Sequence, residues 1–284
     1  MHPYARLTPG PGFRPIRATF YFTHRLLPWP RPRRAVARLL AALIRLRRGT
    51  VTADATTHAT RRQLDQDGIA PLPDLLSAAE IDTIHAWLRD CPLDAAGAYS
   101  LDTVLACPHV LRVTTDPRVL ALAGAYLGCK PTLSSLGIRW SVPRTAAASV
   151  QSFHRDLDDW RFVKVFTYLT GVDPTTGPHV YVRGSHRTAG RLRGRPYQTD
   201  ELLRRYGAAA ILPILGPAGT SFVADTYGIH KGETPRDRPR LILQAQYSLL
   251  PNFALLYRPV AVPTRPAQID PYTHRLIVAP PDPA

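Results

Sequence analysis

The sequence predicts a mainly β domain with flanking helices, an α+β arrangement in which an antiparallel sandwich or jelly roll carries helices on its outside. Three observations point there. Five short runs between residues 132 and 249 are rich in β-branched and aromatic residues. Gly, Pro and Asp turns separate them, and they do not alternate with helical patterns, which argues against a parallel α/β sheet. The 29 prolines among 284 residues also disfavour long helices. A chain of this length fits one large domain, or one domain with an extension, and can bury a sizeable core. Its 45% hydrophobic and 20% charged residues are ordinary for a globular protein.

In chain order, the first sixty residues differ from the rest. PGPGFRP is loop-like, and the prolines of PWPRPRR are expected to block any helix through residues 28–32. AVARLLAALIRLRR (35–48) reads as a short basic amphipathic helix ending at Gly49. Its apolar run is about ten residues and is interrupted by Arg38, whereas a spanning helix needs roughly twenty. Arginines flank both sides, unlike a secretory signal. Two readings follow: a helix packed on the main domain with a solvated arginine face, or peripheral contact of residues 34–48 with an anionic membrane or a partner. The packed helix carries more weight, because amphipathicity is the normal state of a surface helix. The expected division is a basic N-terminal extension over 1–60 and the main domain over 61–284.

Beyond residue 64 the signals become regular. Ser77 and Glu80 in LLSAAEIDTIHAWLRD form a capping box, with Ile81, Ile84, Trp87 and Leu88 as the buried stripe. Asp116-Pro117 starts a second helix, which stops at Gly128. TLSSLGIRWSV (132–142), RFVKVFTYLT (161–170), HVYVR (179–183), GTSFVAD (219–225) and RLILQAQYSL (240–249) are the predicted strands. The Arg/Gly-rich stretch 187–207 is expected to be an excursion with some helix in it.

The net charge of +15 is concentrated at one end. Residues 1–60 hold eleven arginines against a single acid, Asp54, and so account for +10 of it. The remainder is mildly basic, and no nucleic-acid partner is expected. Cys91, Cys107 and Cys129 contain no C-x-x-C pair and are odd in number, which fits reduced thiols rather than a disulfide framework or zinc knuckle. The expected location is the cytoplasm, at a membrane surface if residues 34–48 make that contact.

The segment SFHRDLDDW (152–160) concentrates the chemistry. In an extended segment the side chains of His154 and Asp156 share one side, so an imidazole and a carboxylate can supply two cis ligands to a divalent metal. A further histidine would complete the set of two histidines and one carboxylate that suits iron(II) and leaves coordination positions open. His179, His186, His230 and His274 are the downstream candidates. His230 follows one predicted strand, and Arg240, ten residues on, opens the next. A buried arginine facing the same cavity would need an anion, and its planar fork matches a carboxylate. Metal, open positions and a carboxylate clamp together describe a 2-oxo acid cosubstrate.

Four pieces in order then resemble the phytanoyl-CoA dioxygenase family of iron(II)/2-oxoglutarate oxygenases: DGIAPLPDLLS, the H-x-D of FHRDLDDW, LTGVDPTTGPHVYVRGSHR (169–187) and DTYGIHKGETPRDRPRLILQ (225–244). The resemblance runs from about residue 64 to residue 248. It implies a cupin-like double-stranded β-helix, with His154, Asp156 and His230 as iron ligands. It also implies Arg240 as the 2-oxoglutarate clamp, with Arg238 as the fallback, and Thr234 as a candidate for an assisting hydroxyl. His186 then belongs to a G-S-H loop beside the site. The implied cofactors are Fe(II), 2-oxoglutarate as cosubstrate, and O2. The implied reaction is decarboxylation of 2-oxoglutarate to succinate and CO2, coupled to hydroxylation of an unactivated C–H bond of a small-molecule or acyl substrate. With Asp156 present, hydroxylation, desaturation or ring formation is favoured over halogenation.

The plainer readings of neighbouring residues are that Asp158 and Asp159 are solvated or turn-forming, and that His109 and His179 are satisfied polar side chains. Arg139, Trp140, Gln151 and Trp160 fit either substrate contact or packing. Two rival functions remain: a catalytically silent jelly-roll binding protein, and a binder of membranes or anionic partners through the arginine-rich N-terminus.

Overall fold

Pairing of the β-rich runs into two antiparallel sheets organises the chain. The structure is a computed structural model that describes residues 6–143, 152–190, 196–257, 259–262 and 270–278. Three helices, α1 (Pro15–Thr23), α2 (Pro30–Arg48) and α3 (Ala55–Asp67), precede β1 (Ile69–Leu72). Four more follow: α4 (Ala78–Leu88), α5 (Leu101–Ala106), α6 (Val110–Thr114) and α7 (Pro117–Leu127). Then come β2 (Thr132–Ser141), β3 (Phe162–Tyr168), β4 (His179–Val182), α8 (Thr199–Tyr206), β5 (Ile211–Ile214), β6 (Ser221–Ala224), β7 (His230–Gly232) and β8 (Arg240–Ser248). A short parallel pair, β9 (Val260–Ala261) and β10 (Ile277–Val278), closes the described chain.

The larger sheet has the order β1-β6-β3-β8-β2 and the smaller β5-β4-β7, all antiparallel. The two-residue periodicity of a strand decides what each face meets. Leu241, Leu243, Ala245 and Tyr247 of β8, with Val163 and Val165 of β3, enter the large core shared with the helices. Ile242 of β8, with Phe166 and Tyr168 of β3, faces the other way and packs with Tyr181 of β4. Helices therefore cover one face of the larger sheet, and the smaller sheet lies against the other. This is a jelly roll with helices outside, and the interior between its sheets is where a cavity can form.

The five predicted strands are present within a residue or two of their expected ends. The capping box at Ser77 is formed in both directions, and Asp116 caps α7, which ends at Gly128 in the left-handed conformation. Two expectations are corrected, and two strands are added. The prolines of PWPRPRR do not exclude helix: α2 begins at Pro30, because the first-turn N–H groups have no intrahelical partner and proline gives up nothing there. Trp87 is 43% exposed, since it sits at the edge of the stripe made by Ile81, Ile84 and Leu88. Strands β1 and β5 escape notice because each holds a proline, Pro71 or Pro213, which a sheet tolerates at the edges they occupy.

The N-terminal helices are joined to this body. Ala37 and Ala41 of α2 are in the large core. Arg33 is buried, donating from Nη1 to the His24 carbonyl at 2.7 Å and from Nη2 to the Asp159 carbonyl. The stretch 187–207 contains α8, with residues 191–195 outside the described residues.

Candidate metal centre

His154 and His230 are 76 positions apart in the chain, yet their backbones form a bridge: each N–H donates to the other's carbonyl, at 2.9 and 3.0 Å. The H-x-D segment thereby continues the smaller sheet beyond β7. The two rings come to 4.4 Å between centroids. His154 Nδ1 lies 2.8 Å from the Ser152 carbonyl, and His230 Nδ1 lies 2.9 Å from the Gly228 carbonyl. A carbonyl only accepts, so both Nδ1 atoms carry a proton, and in the neutral form of each ring Nε2 is the atom with a free lone pair. Both Nε2 atoms approach Asp156: His154 Nε2 is 3.5 Å from Oδ1, and His230 Nε2 is 3.5 Å from Oδ2. Ligand atoms of the three residues all lie within 4.8 Å of one another. Two neutral imidazoles and one carboxylate on converging atoms are a donor set that fits iron(II) with coordination positions left over.

The electrostatics have one source that sequence reasoning missed. Lys164, pointing inward from β3, places Nζ 2.7 Å from Asp156 Oδ2 and 3.4 Å from Asp158 Oδ2. Burial pushes the Asp156 pKa up, but the Lys164 ammonium outweighs it and holds the carboxyl well below the usual carboxylate range. Burial acts against the Lys164 charge, and Asp156 and Asp158 outweigh it, raising its pKa. Burial lowers His230 to about 4. A signal for Lys164 was available: it is one of three lysines in the chain and the one charge inside the apolar run FVKVFTY.

A cavity of about 180 Å³ opens from the triad and reaches Arg240. Arg240 is buried at the start of β8, opposite Ser141 of β2. Its Nη2 donates to Ser141 Oγ at 3.1 Å, and its Nη1 donates to the Gly177 carbonyl. Gly177 has φ +74°, and a Cβ there would come within 2.5 Å of the Glu233 carbonyl, so glycine is needed for this approach. Arg238, the fallback, points away: its side chain is 71% exposed and pairs with Asp173 at 2.8 Å. Thr234 is half-buried and does not line the cavity; the hydroxyl on the buried arginine comes from Ser141.

His179, expected to be a satisfied polar side chain, is not. It is buried in the cavity wall, with its ring nearly parallel to His230 at 5.3 Å and packed against Phe166 at 4.8 Å. Its Nε2 has no hydrogen-bond partner among the described residues. His109 pairs with Glu80 at 3.3 Å, as expected of a satisfied group. Asp159 is not solvated: it is buried and accepts from the backbone N–H groups of Trp160 and Leu250, tying the motif to the strand end after β8. Asp158 is half-buried against Lys164. Arg139 and Trp140 line the cavity, Trp160 packs in the core, and Gln151 lies outside the described residues. His186 holds the Asp65 carbonyl at 3.1 Å and does not line the cavity.

A jelly roll with two histidines and a carboxylate at one end of its interior, and a buried arginine at the other end of the same cavity, has the layout of the non-haem iron oxygenases. The phytanoyl-CoA dioxygenase family profile matches residues 64–238, and the chain belongs to that family. It is thus an enzyme of the iron- and 2-oxoglutarate-dependent oxygenase class. No curated protein matches the chain in sequence. Among solved structures it is similar to EctD from S. alaskensis with bound Fe, at 20% identity and TM-score 0.57, over 82% of this chain and 92% of that one. It is also similar to HygX from Streptomyces hygroscopicus with nickel and 2-oxoglutarate bound, at 17% identity and TM-score 0.54, over 74% and 91%. A third likeness is to the non-haem alpha-ketoglutarate-dependent epimerase SnoN from nogalamycin biosynthesis, at 24% identity and TM-score 0.50, over 68% and 83%. These likenesses show the shared fold.

Proposed function

We propose that this enzyme hydroxylates an unactivated C–H bond of a small-molecule or acyl substrate while 2-oxoglutarate is decarboxylated to succinate and CO2. His154, Asp156 and His230 are the iron ligands in this reading, and Arg240 receives the far carboxylate of 2-oxoglutarate. The observation that carries it is the placement of the converging donor set and the buried Arg240 guanidinium in one cavity. Iron, when bound, supplies dioxygen activation and a chelation site for the keto-acid end of the cosubstrate.

The chain's own residues do the rest. Lys164 holds Oδ2 of Asp156 and leaves Oδ1 as the oxygen that would be free to bind a metal. The carbonyls of Ser152 and Gly228 fix the imidazole tautomers. Ser141 and the Gly177 carbonyl hold the Arg240 fork in place for a bidentate carboxylate contact. Neighbours with this fold act on or bind small molecules: one EctD structure contains 2-oxoglutarate and 5-hydroxyectoine, and one SnoN structure contains nogalamycin RO. A small-molecule substrate for this chain is proposed by analogy with them. The unpaired thiols of Cys91, Cys107 and Cys129 support a cytoplasmic location.

Succinate formation from 2-oxoglutarate, with iron(II) and without added substrate, is the direct test. The wild-type enzyme should show this uncoupled turnover, and Asp156→Ala should lose it by at least about 100-fold together with iron affinity. Unchanged iron binding and decarboxylation in Asp156→Ala would sink the ligand assignment. Wild-type protein that binds iron(II) and 2-oxoglutarate but forms no succinate would be the catalytically silent binder.

A further inference from the structure

We propose that the outward face of α2 docks this enzyme on an anionic lipid surface. The helix carries two apolar stripes. One contains Ala37 and Ala41 and is buried in the large core. The other has no partner among the described residues: Leu39, Leu43 and Leu46 are 64%, 49% and 83% exposed. At helical spacing these leucines and Ala35 span an arc of about 80° on the side opposite Ala37. A surface helix ordinarily needs its inner stripe alone, so the outer one calls for a separate explanation.

Charge specifies what covers it. Arg31, Arg38 and Arg45, all exposed, follow one edge of the leucine stripe, and Arg47 lies on the other edge. The turn leading into the helix exposes Leu26 and Trp29, and tryptophan favours the boundary between headgroups and acyl chains. Residues 1–60 as a whole carry eleven arginines and one acid. An apolar stripe bordered by guanidinium groups matches a surface that is apolar below and anionic at its top, with the helix lying in the plane of the headgroups. A second copy of the chain would bring two arginine-rich faces together, and their repulsion opposes it. A nucleic acid would meet the arginines but leave the leucines in water. No described helix is long and apolar enough to cross a membrane, so the contact is peripheral.

The test uses the full chain with vesicles of phosphatidylcholine alone, or of phosphatidylcholine doped with phosphatidylglycerol, in co-sedimentation. Binding should occur on the doped vesicles, weaken as salt rises, and be slight on the neutral ones. Leu39→Ser/Leu43→Ser/Leu46→Ser should weaken it by at least about tenfold. Arg38→Gln/Arg45→Gln, which leaves the apolar packing untouched, should weaken it roughly fivefold per arginine. Both variants should keep wild-type melting behaviour and uncoupled 2-oxoglutarate turnover. If the leucine variant fails to fold, the arginine variant decides alone. Equal binding of both vesicle types, or wild-type partitioning by either folded variant, overturns the proposal. So does light scattering that shows a dimer which the leucine substitutions dissociate, or preferential binding of a DNA duplex over vesicles.

Discussion

Two residues that do not themselves belong to the ligand set bear on how it works. Lys164 is the nearest cation to Asp156 and shares itself with Asp158, so its ammonium both neutralises and orients the carboxylate. Lys164→Met should lower iron(II) affinity by about tenfold or more, read by anaerobic titration without turnover, and Lys164→Arg should restore part of it. Iron affinity equal to wild type in Lys164→Met would reduce the lysine to a packing role. His179 is a buried orphan, and a buried polar atom without a partner is unfavourable unless a ligand satisfies it. Lying in the cavity wall beside His230, its Nε2 is placed to bond an oxygen of the bound dicarboxylate. His179→Phe keeps the aromatic stack and removes that atom, so the KM for 2-oxoglutarate should rise about tenfold while iron affinity holds. An unchanged KM would refute this role.

At the scale of elements, α1 and α2 depend on a buried histidine. Burial, with the nearby Arg33 and Arg25 charges, outweighs the carbonyl contacts of His24 and lowers its pKa from 6.5 to about 4. Its Nε2 lies 2.8 Å from the Leu157 carbonyl, linking the N-terminal segment to the metal-motif loop. The docked state therefore binds this proton more weakly than the undocked state. The full stability is present above pH 6.5 and is lost as pH falls from 6.5 towards 4. At pH 5 the loss amounts to about 2 kcal/mol, or roughly thirtyfold more opening. Amide exchange in α1 and α2 at pH 7 and pH 5 measures it. Equal protection at both values, after correction for intrinsic exchange, would rule it out. His24→Leu should flatten the dependence. The same segment also supplies Ala37 and Ala41 to the large core.

On the scale of the whole molecule, the site is a junction of segments far apart in sequence. β7 brings His230 against the H-x-D segment, and the β2–β8 pairing brings Ser141 against Arg240. Ligands that hold these segments together bind the folded state alone, so iron(II) and 2-oxoglutarate should raise the melting temperature. Together at about 100-fold excess over their dissociation constants they should add several degrees. Calorimetry under anaerobic conditions would show this, and Asp156→Ala should lose the iron-dependent part. A wild-type melting temperature indifferent to both ligands would count against the cavity as their site.

The strands were legible in the chain because β-branched runs bounded by turns reflect local periodicity, as in RLILQAQYSL, where alternate residues face alternate sides. The capping box at Ser77 and the stop at Gly128 were legible for the same reason, since a helix end is satisfied by residues within one turn of it. The H-x-D spacing and the order of four motifs carried the family. Neighbours decided the remainder. Whether Arg238 or Arg240 turns inward depends on which one meets Asp173 at the surface and which meets Ser141 and the Gly177 carbonyl inside. That Lys164 faces Asp156, that Asp159 is buried, and that His179 Nε2 has no hydrogen-bond partner among the described residues are facts about contacts across sheets. Side-chain pattern records which face of its own strand a residue occupies, but burial and hydrogen-bond satisfaction are set by chain brought in from elsewhere, and only the tertiary structure contains that.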